Sequence, residues 1–184
     1  MRVLAGALKG QRLSTAGGSV TRPTSDRVRI ACLDTLTPYL GAGPFLDLFA
    51  GGGAVGIEAL SRGAPSAVFV ELDRSALRAL SENLARLGLG DRARALREDA
   101  ARSIGRLGQR GDRFAVIFLD PPYESPRATA ALDAVAAGDV LARGAVVVLQ
   151  HSTKAPPPDA LGVLRQWKTR RFGETSLTFF RGPA

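Results

Sequence analysis

Hydrophobic and polar positions along this chain follow two alternating periods. Short apolar runs that end at glycines or acids predict strands over Phe45–Ala50, Ser66–Leu72, the weaker Ala93–Glu98, Phe114–Asp120 and Gly144–Gln150. Between them, apolar residues recur every three or four positions. Ala54–Arg62 predicts a helix stopped by Gly63, and Arg74–Leu87 carries Leu77, Leu80, Leu84 and Leu87 on one helical face. Asp73 is placed to cap that helix and Gly88 to stop it. Pro126–Ala137 predicts another helix. Strand and helix in alternation indicate a mostly parallel sheet with helices on both faces, and runs such as Ala115–Leu119 suit strands covered on both sides. In the tail, Leu164–Phe172 and Ser176–Arg181, joined through Gly173-Glu174, predict an antiparallel hairpin after a loop at Ala155–Asp159. In the head, Arg2–Leu13 predicts a small hairpin turning near Lys9-Gly10. Gly17-Gly18-Ser19 reads as a flexible joint, and a helix starts near Thr24 or Ser25 and runs towards Tyr39. The expected organisation is an N-terminal extension over 1–40 and one α/β domain over 41–184, with a seven-stranded sheet.

Length and composition agree with one globular domain: 184 residues, 45% of them hydrophobic. The start of the chain lacks the apolar run of a signal peptide, and no run approaches the roughly 18 apolar residues of a membrane helix. A cytoplasmic monomer is expected. Cys32 is the single cysteine and His151 the single histidine, so neither an internal disulfide nor a typical zinc site can form, and no metal is expected. The net charge of +8 is unevenly spread: Met1–Arg29 carries +5, Arg165–Arg181 carries +4, and the stretch between carries −1. Basic margins around a neutral body suggest contact with phosphate. The competing explanation is a general preference for arginine, which supplies 22 of the 25 basic residues.

Candidate chemistry gathers at the ends of the strands. Gly51, Gly53 and Gly56 form GxGxxG between a strand and a helix, where bare backbone and free N–H groups can approach a ligand. Glu71 ends the next strand, where a carboxylate can accept from both ribose hydroxyls of an adenosine cofactor. NAD and S-adenosylmethionine both meet that geometry, and Asp47 separates them: an acid there repels a pyrophosphate but favours an ammonium and a sulfonium. Asp99 either accepts from an adenine amino group or caps the next helix. Ala50, Leu72 and Ala100 complete the expected cofactor set. Asp120-Pro121-Pro122-Tyr123 closes the fourth strand. The prolines fix the backbone and remove N–H donors, so the Asp120 carboxylate and the Pro121 carbonyl can hold an amino group together, while Tyr123 offers a stacking face for a base.

In sequence order, DLFAGGGAVG (Asp47–Gly56), VELD (Val70–Asp73) and DPPY (Asp120–Tyr123) resemble the Rossmann-like amino-methyltransferases. RPTSDRVR (Arg22–Arg29), IEALSRGA (Ile57–Ala64) and RFGETSLTFFR (Arg171–Arg181) narrow the resemblance to the RsmD family over nearly the whole chain. It implies methyl transfer from S-adenosylmethionine to N2 of a guanine in small-subunit ribosomal RNA. Arg22, Arg27, Arg29, Arg170 and Arg171 are the expected RNA contacts. The alternatives are a DNA adenine or cytosine amino-methyltransferase and a non-catalytic RNA-binding assembly factor. The fifth strand ends in Gln150-His151 where the family often has Glu-His. No essential acid is therefore expected there, and His151 reads as a structural or substrate-edge residue rather than a general base.

Overall fold

The computed structural model describes residues 1–15, 25–122 and 125–184. Strands form where the apolar runs place them. β1 (Phe45–Leu48), β2 (Ala67–Val70), β3 (Ala93–Leu96), β4 (Phe114–Leu119) and β5 (Leu141–Ser152) are all parallel. The tail supplies β6 (Ala160–Leu161), β7 (Leu164–Phe172) and β8 (Thr175–Arg181), with β8 antiparallel between β5 and β7. The order is β3-β2-β1-β4-β5-β8-β7-β6. Among the described residues the sheet thus has eight strands rather than the expected seven. The extra one, β6, is two residues long and follows the proline-rich loop, too short for any alternation to announce it.

Among the described residues, five helices cover the sheet: α1 (Asp26–Leu40), α2 (Ala54–Ser61), α3 (Arg74–Arg86), α4 (Ala100–Gln109) and α5 (Pro126–Ala136). Ser25, Asp73, Asp99 and Ser125 cap α1, α3, α4 and α5 by accepting from backbone N–H groups of the first turn. Leu33 and Leu36 of α1, Ile57 of α2 and Leu80 of α3 pack on one face against Phe45, Phe69 and Phe118. Ile104 of α4 and Leu132 of α5 pack on the other against Leu46, Ile117 and Val147. All side chains of β1 and β4 are buried, as covered parallel strands require.

The head hairpin shrinks to a single bridge, Arg2 to Arg12. Val3, Gly10 and Leu13 still donate across the head, to the Gln11, Val3 and Met1 carbonyls, while other donors turn to α2. Leu4 and Ala5 donate to the Glu58 carboxylate, each at 2.8 Å, and Leu8 donates to Ser61 Oγ at 2.9 Å. Gly6, at φ +82°, lies so close to the Ser61 carbonyl that any Cβ would collide with it. One expectation is overturned here. Arg29, placed on the RNA face by its position in a basic segment, is fully buried. It donates to the Arg2 carbonyl at 2.7 Å and to Asp26 at 3.1 Å, with Glu58 at 3.9 Å. Burial lowers its pKa, and Asp26 and Glu58 oppose the shift. Arg29 is a strut between head, α1 and α2.

Candidate active site

β1 has β2 on one side and β4 on the other, so the chain reverses direction there and leaves a crevice beyond the strand tips. Phe49 turns out of β1 at φ +64°, a strained conformation costing ~1–3 kcal/mol for a non-glycine residue and typical of ligand-facing loops. Ala50 then donates to the Val70 carbonyl and Gly51 to Glu71 Oε2 at 2.8 Å. The three motif glycines differ in purpose. A Cβ on Gly53 would strike Leu80, and one on Gly56 would strike the Phe69 ring, so both serve close packing. Gly51, at φ +55°, has no atom of the described residues within 4 Å of its Cβ position, which leaves that side of the loop room for a ligand.

Pleating directs Asp47, Glu71 and Asp120 to the same face as α1. Asp47 is buried and accepts from Gly56 N at 2.8 Å. Burial pushes its pKa up to about 8; the Gly56 hydrogen bond opposes this, and Asp120 and Glu71 add to it through their negative charge. Glu71 accepts from Gly51 N at 2.8 Å and from Asp73 N at 2.7 Å, and each oxygen keeps a further lone pair. Leu72 beside it is 40% exposed, an apolar surface at the rim. Asp99 caps α4 through Arg102 N at 3.2 Å, which realises the capping alternative, and Ala100 is buried in the first turn. Converging acids complement a cofactor that carries ammonium, sulfonium and ribose hydroxyls. The residues present fit S-adenosylmethionine and would repel a pyrophosphate.

Asp120 leaves the tip of β4 with its N–H directed to Leu48 O at 3.4 Å, followed by buried Pro121 and exposed Pro122. Tyr123, Arg22 and the Gly17–Ser19 joint lie outside the described residues. Pro121, Pro122, Leu132, Leu149, Gln150 and His151 help to line a cavity of about 570 Å³ beside this tip. His151 is buried, with both ring nitrogens engaged: Nδ1 lies 2.8 Å from the Ser152 carbonyl and Nε2 2.8 Å from Thr178 Oγ1. A carbonyl only accepts, so Nδ1 carries the proton and Thr178 donates to Nε2 of the neutral ring. Burial lowers the His151 pKa and keeps it neutral. Gln150 is also buried, and its Oε1 has no partner among the described residues. Cys32 is a buried thiol whose pKa burial raises, with Asp47 and Asp120 contributing, so it is inert.

Of the remaining arginines, Arg27 and Arg171 are exposed, and Arg170 donates to the Ala31 carbonyl of α1 at 3.0 Å. Sequence reasoning missed Asn83. Its amide donates to Ser14 O at 2.9 Å and to Gly52 O at 3.0 Å, and its carbonyl oxygen accepts from Ser14 N at 2.8 Å. It therefore ties the head to the glycine loop. The available signal was a polar residue on the apolar face that Leu80, Leu84 and Leu87 mark. Glu58, set within an apolar helix, gave the same kind of signal.

A parallel sheet extended by an antiparallel hairpin, with an acidic crevice at the β1 and β4 tips, defines a Rossmann-like methyltransferase of the S-adenosylmethionine-dependent class. The family model described as "Conserved hypothetical protein 95" matches residues 1–181, and the chain belongs to that family, the RsmD-type methyltransferases. It is 35% identical to "Putative rRNA methyltransferase YlbH" of Bacillus subtilis, over 98% of each chain. It is 38% identical to "Ribosomal RNA small subunit methyltransferase D" of Escherichia coli, over 67% of this chain and 60% of that one. The solved structure "Putative methyltransferase yhhF from Escherichia coli" is similar with a TM-score of 0.87 and 27% identity, covering 100% of this chain and 98% of that one. No helix among the described residues is long and apolar enough to cross a membrane.

Proposed function

We propose that this protein transfers a methyl group from S-adenosylmethionine to the exocyclic N2 amine of a guanine in small-subunit ribosomal RNA. The observation that carries the reading is the acidic crevice that ends in Asp120-Pro121. The relatives' names support the RNA substrate. S-adenosylmethionine supplies an electrophilic methyl group on a sulfonium. Asp47 and Glu71 hold it, with Gly51, Gly53 and Gly56 giving the backbone room and Ala50, Leu72, Asp99 and Ala100 enclosing the adenosine. The Asp120 carboxylate and the Pro121 carbonyl each accept one N–H of the amine and so turn its lone pair out of conjugation towards the methyl carbon. Pro122 stiffens the turn, and Tyr123 stacks on the base. His151, with both nitrogens engaged, takes no proton in this scheme; the methylated nitrogen releases its proton to Asp120 or to water. Positioning and exclusion of water do most of the catalysis. Arg22, Arg27, Arg170 and Arg171 meet RNA phosphates.

Radiolabel transfer to small-subunit RNA, with duplex DNA as the competing substrate, tests the reading, and mass spectrometry of the nucleosides identifies the product. N2-methylguanosine from RNA is expected. Label in DNA adenine or cytosine points to a DNA enzyme, and binding without transfer points to an assembly factor.

A further inference from the structure

The tail hairpin carries aromatic rings and cations that the proposed chemistry does not use. Trp167 sits at a register shift in β7, where a bulge re-aims side chains. It leans on Phe179 at 5.9 Å and remains 37% exposed. Arg181 lies 4.8 Å from its ring centroid and Lys168 5.8 Å, and Arg181 also lies over Tyr39 of α1 at 5.7 Å. At the other end of β7, the guanidinium groups of Arg170 and Arg27 lie 5.6 Å and 5.9 Å from the Phe172 ring. Phe172 pairs with Thr175, which pairs with Ser152 at the end of β5, so this end of the stripe lies at the crevice end of the sheet. Trp167 is five residues further along the strand, about 17 Å at ~3.3 Å per residue.

The cations of this stripe are uncompensated. Among the described residues, Arg27, Lys168, Arg170 and Arg181 form no ion pair, whereas Arg29, Arg62, Arg78, Arg94 and Arg106 do. Stacking on rings holds a guanidinium in place while leaving donors free, which reduces the ordering needed to bind phosphate. A positive stripe punctuated by an exposed indole suits a polyanion with flat, unpaired bases. We infer that the α1-side face of the β7–β8 hairpin is a track for a single RNA strand, with Trp167 stacking an unpaired base and the flanking cations contacting phosphates. The inference rests on RNA being the substrate, and it adds a docking surface some distance from the reacting atoms.

Trp167 is the only tryptophan in the chain, so its fluorescence reports on this face directly. Titration with a single-stranded fragment of small-subunit RNA should quench it, with the midpoint found by anisotropy of labelled RNA. Trp167→Ala should weaken RNA binding about five- to a hundredfold. Lys168→Gln combined with Arg27→Gln should flatten the slope of log affinity against log salt by about 0.7 per lost contact. In both variants an unchanged affinity for S-adenosylhomocysteine shows that the fold is intact. RNA that binds without altering the fluorescence overturns the track, as does equal quenching by heparin or by anionic phospholipid vesicles. Methyl transfer by the wild-type protein is scored separately. Quenching without transfer sinks the proposed activity and leaves the track standing; transfer with a silent Trp167 does the reverse.

Discussion

Asp47 is an acid held where its charge is unwelcome until a cation arrives. Its pKa rises from 3.8 to about 8, chiefly because it is buried. Between those values the folded chain binds more protons than the unfolded chain. The stabilising contribution is therefore full below about 4 and is lost as the pH climbs through about 8. Denaturant titrations of the ligand-free protein should show this fall from pH 5 to pH 8, and Asp47→Asn should flatten it. An ammonium nearby favours the ionised form, so cofactor binding near pH 7 should release a proton. Calorimetry in two buffers of different ionisation enthalpy measures that release directly. Asp120 is the acid proposed to hold the reacting amine. Asp120→Ala should lower turnover on the order of a hundredfold while binding of S-adenosylhomocysteine changes little. Retention of a tenth of wild-type turnover would remove Asp120 from the mechanism.

At the scale of elements, β1, β2, β4 and the tail hairpin were legible because period-two and fully apolar runs are properties of local sequence. So was the cap Asp73. What escaped depends on partners far along the chain. The head looked like a small hairpin, yet the amides of Leu4, Ala5 and Leu8 are satisfied by Glu58 and Ser61 of α2, more than 50 residues away. Arg29 looked like a surface charge for the same reason, since nothing local reveals that Glu58 and the Arg2 carbonyl enclose it. Arg29→Ala should therefore destabilise the fold by about 3–5 kcal/mol by leaving Glu58 buried with less compensation. The denaturation midpoint would show this, and a variant of native stability would return Arg29 to the surface. Of the candidate site, the strand-end acids and the glycine loop were legible as a motif, but the second task of Glu71 was not. Because Glu71 also anchors Gly51 N, Glu71→Ala should loosen the loop as well as remove the proposed ribose contact. An affinity loss of about ten- to a hundredfold for S-adenosylhomocysteine is expected by calorimetry.

At the scale of the whole molecule, one continuous sheet joins the cofactor crevice to the basic hairpin. Ligand binding to the folded chain alone should stabilise all of it. S-adenosylhomocysteine at a hundred times its Kd should add about 2.7 kcal/mol, and a thermal scan should show the midpoint rise by roughly 2–4 °C per kcal/mol. The shortness of β6 has a separate effect on solution behaviour. It pairs with Leu164 and Arg165, and Asp159 just before it accepts from Gln166 N, so among the described residues β7 from Trp167 onward forms an open sheet margin. Such a margin is a template on which a second molecule can add a strand, and Lys168, Arg170 and Arg171 oppose that encounter by like-charge repulsion. Repulsion of this kind works at long range only while salt is dilute. The purified protein should therefore self-associate more readily in concentrated salt, where charges no longer sense one another beyond about 3 Å, and nucleic acid laid over the hairpin should keep it dispersed.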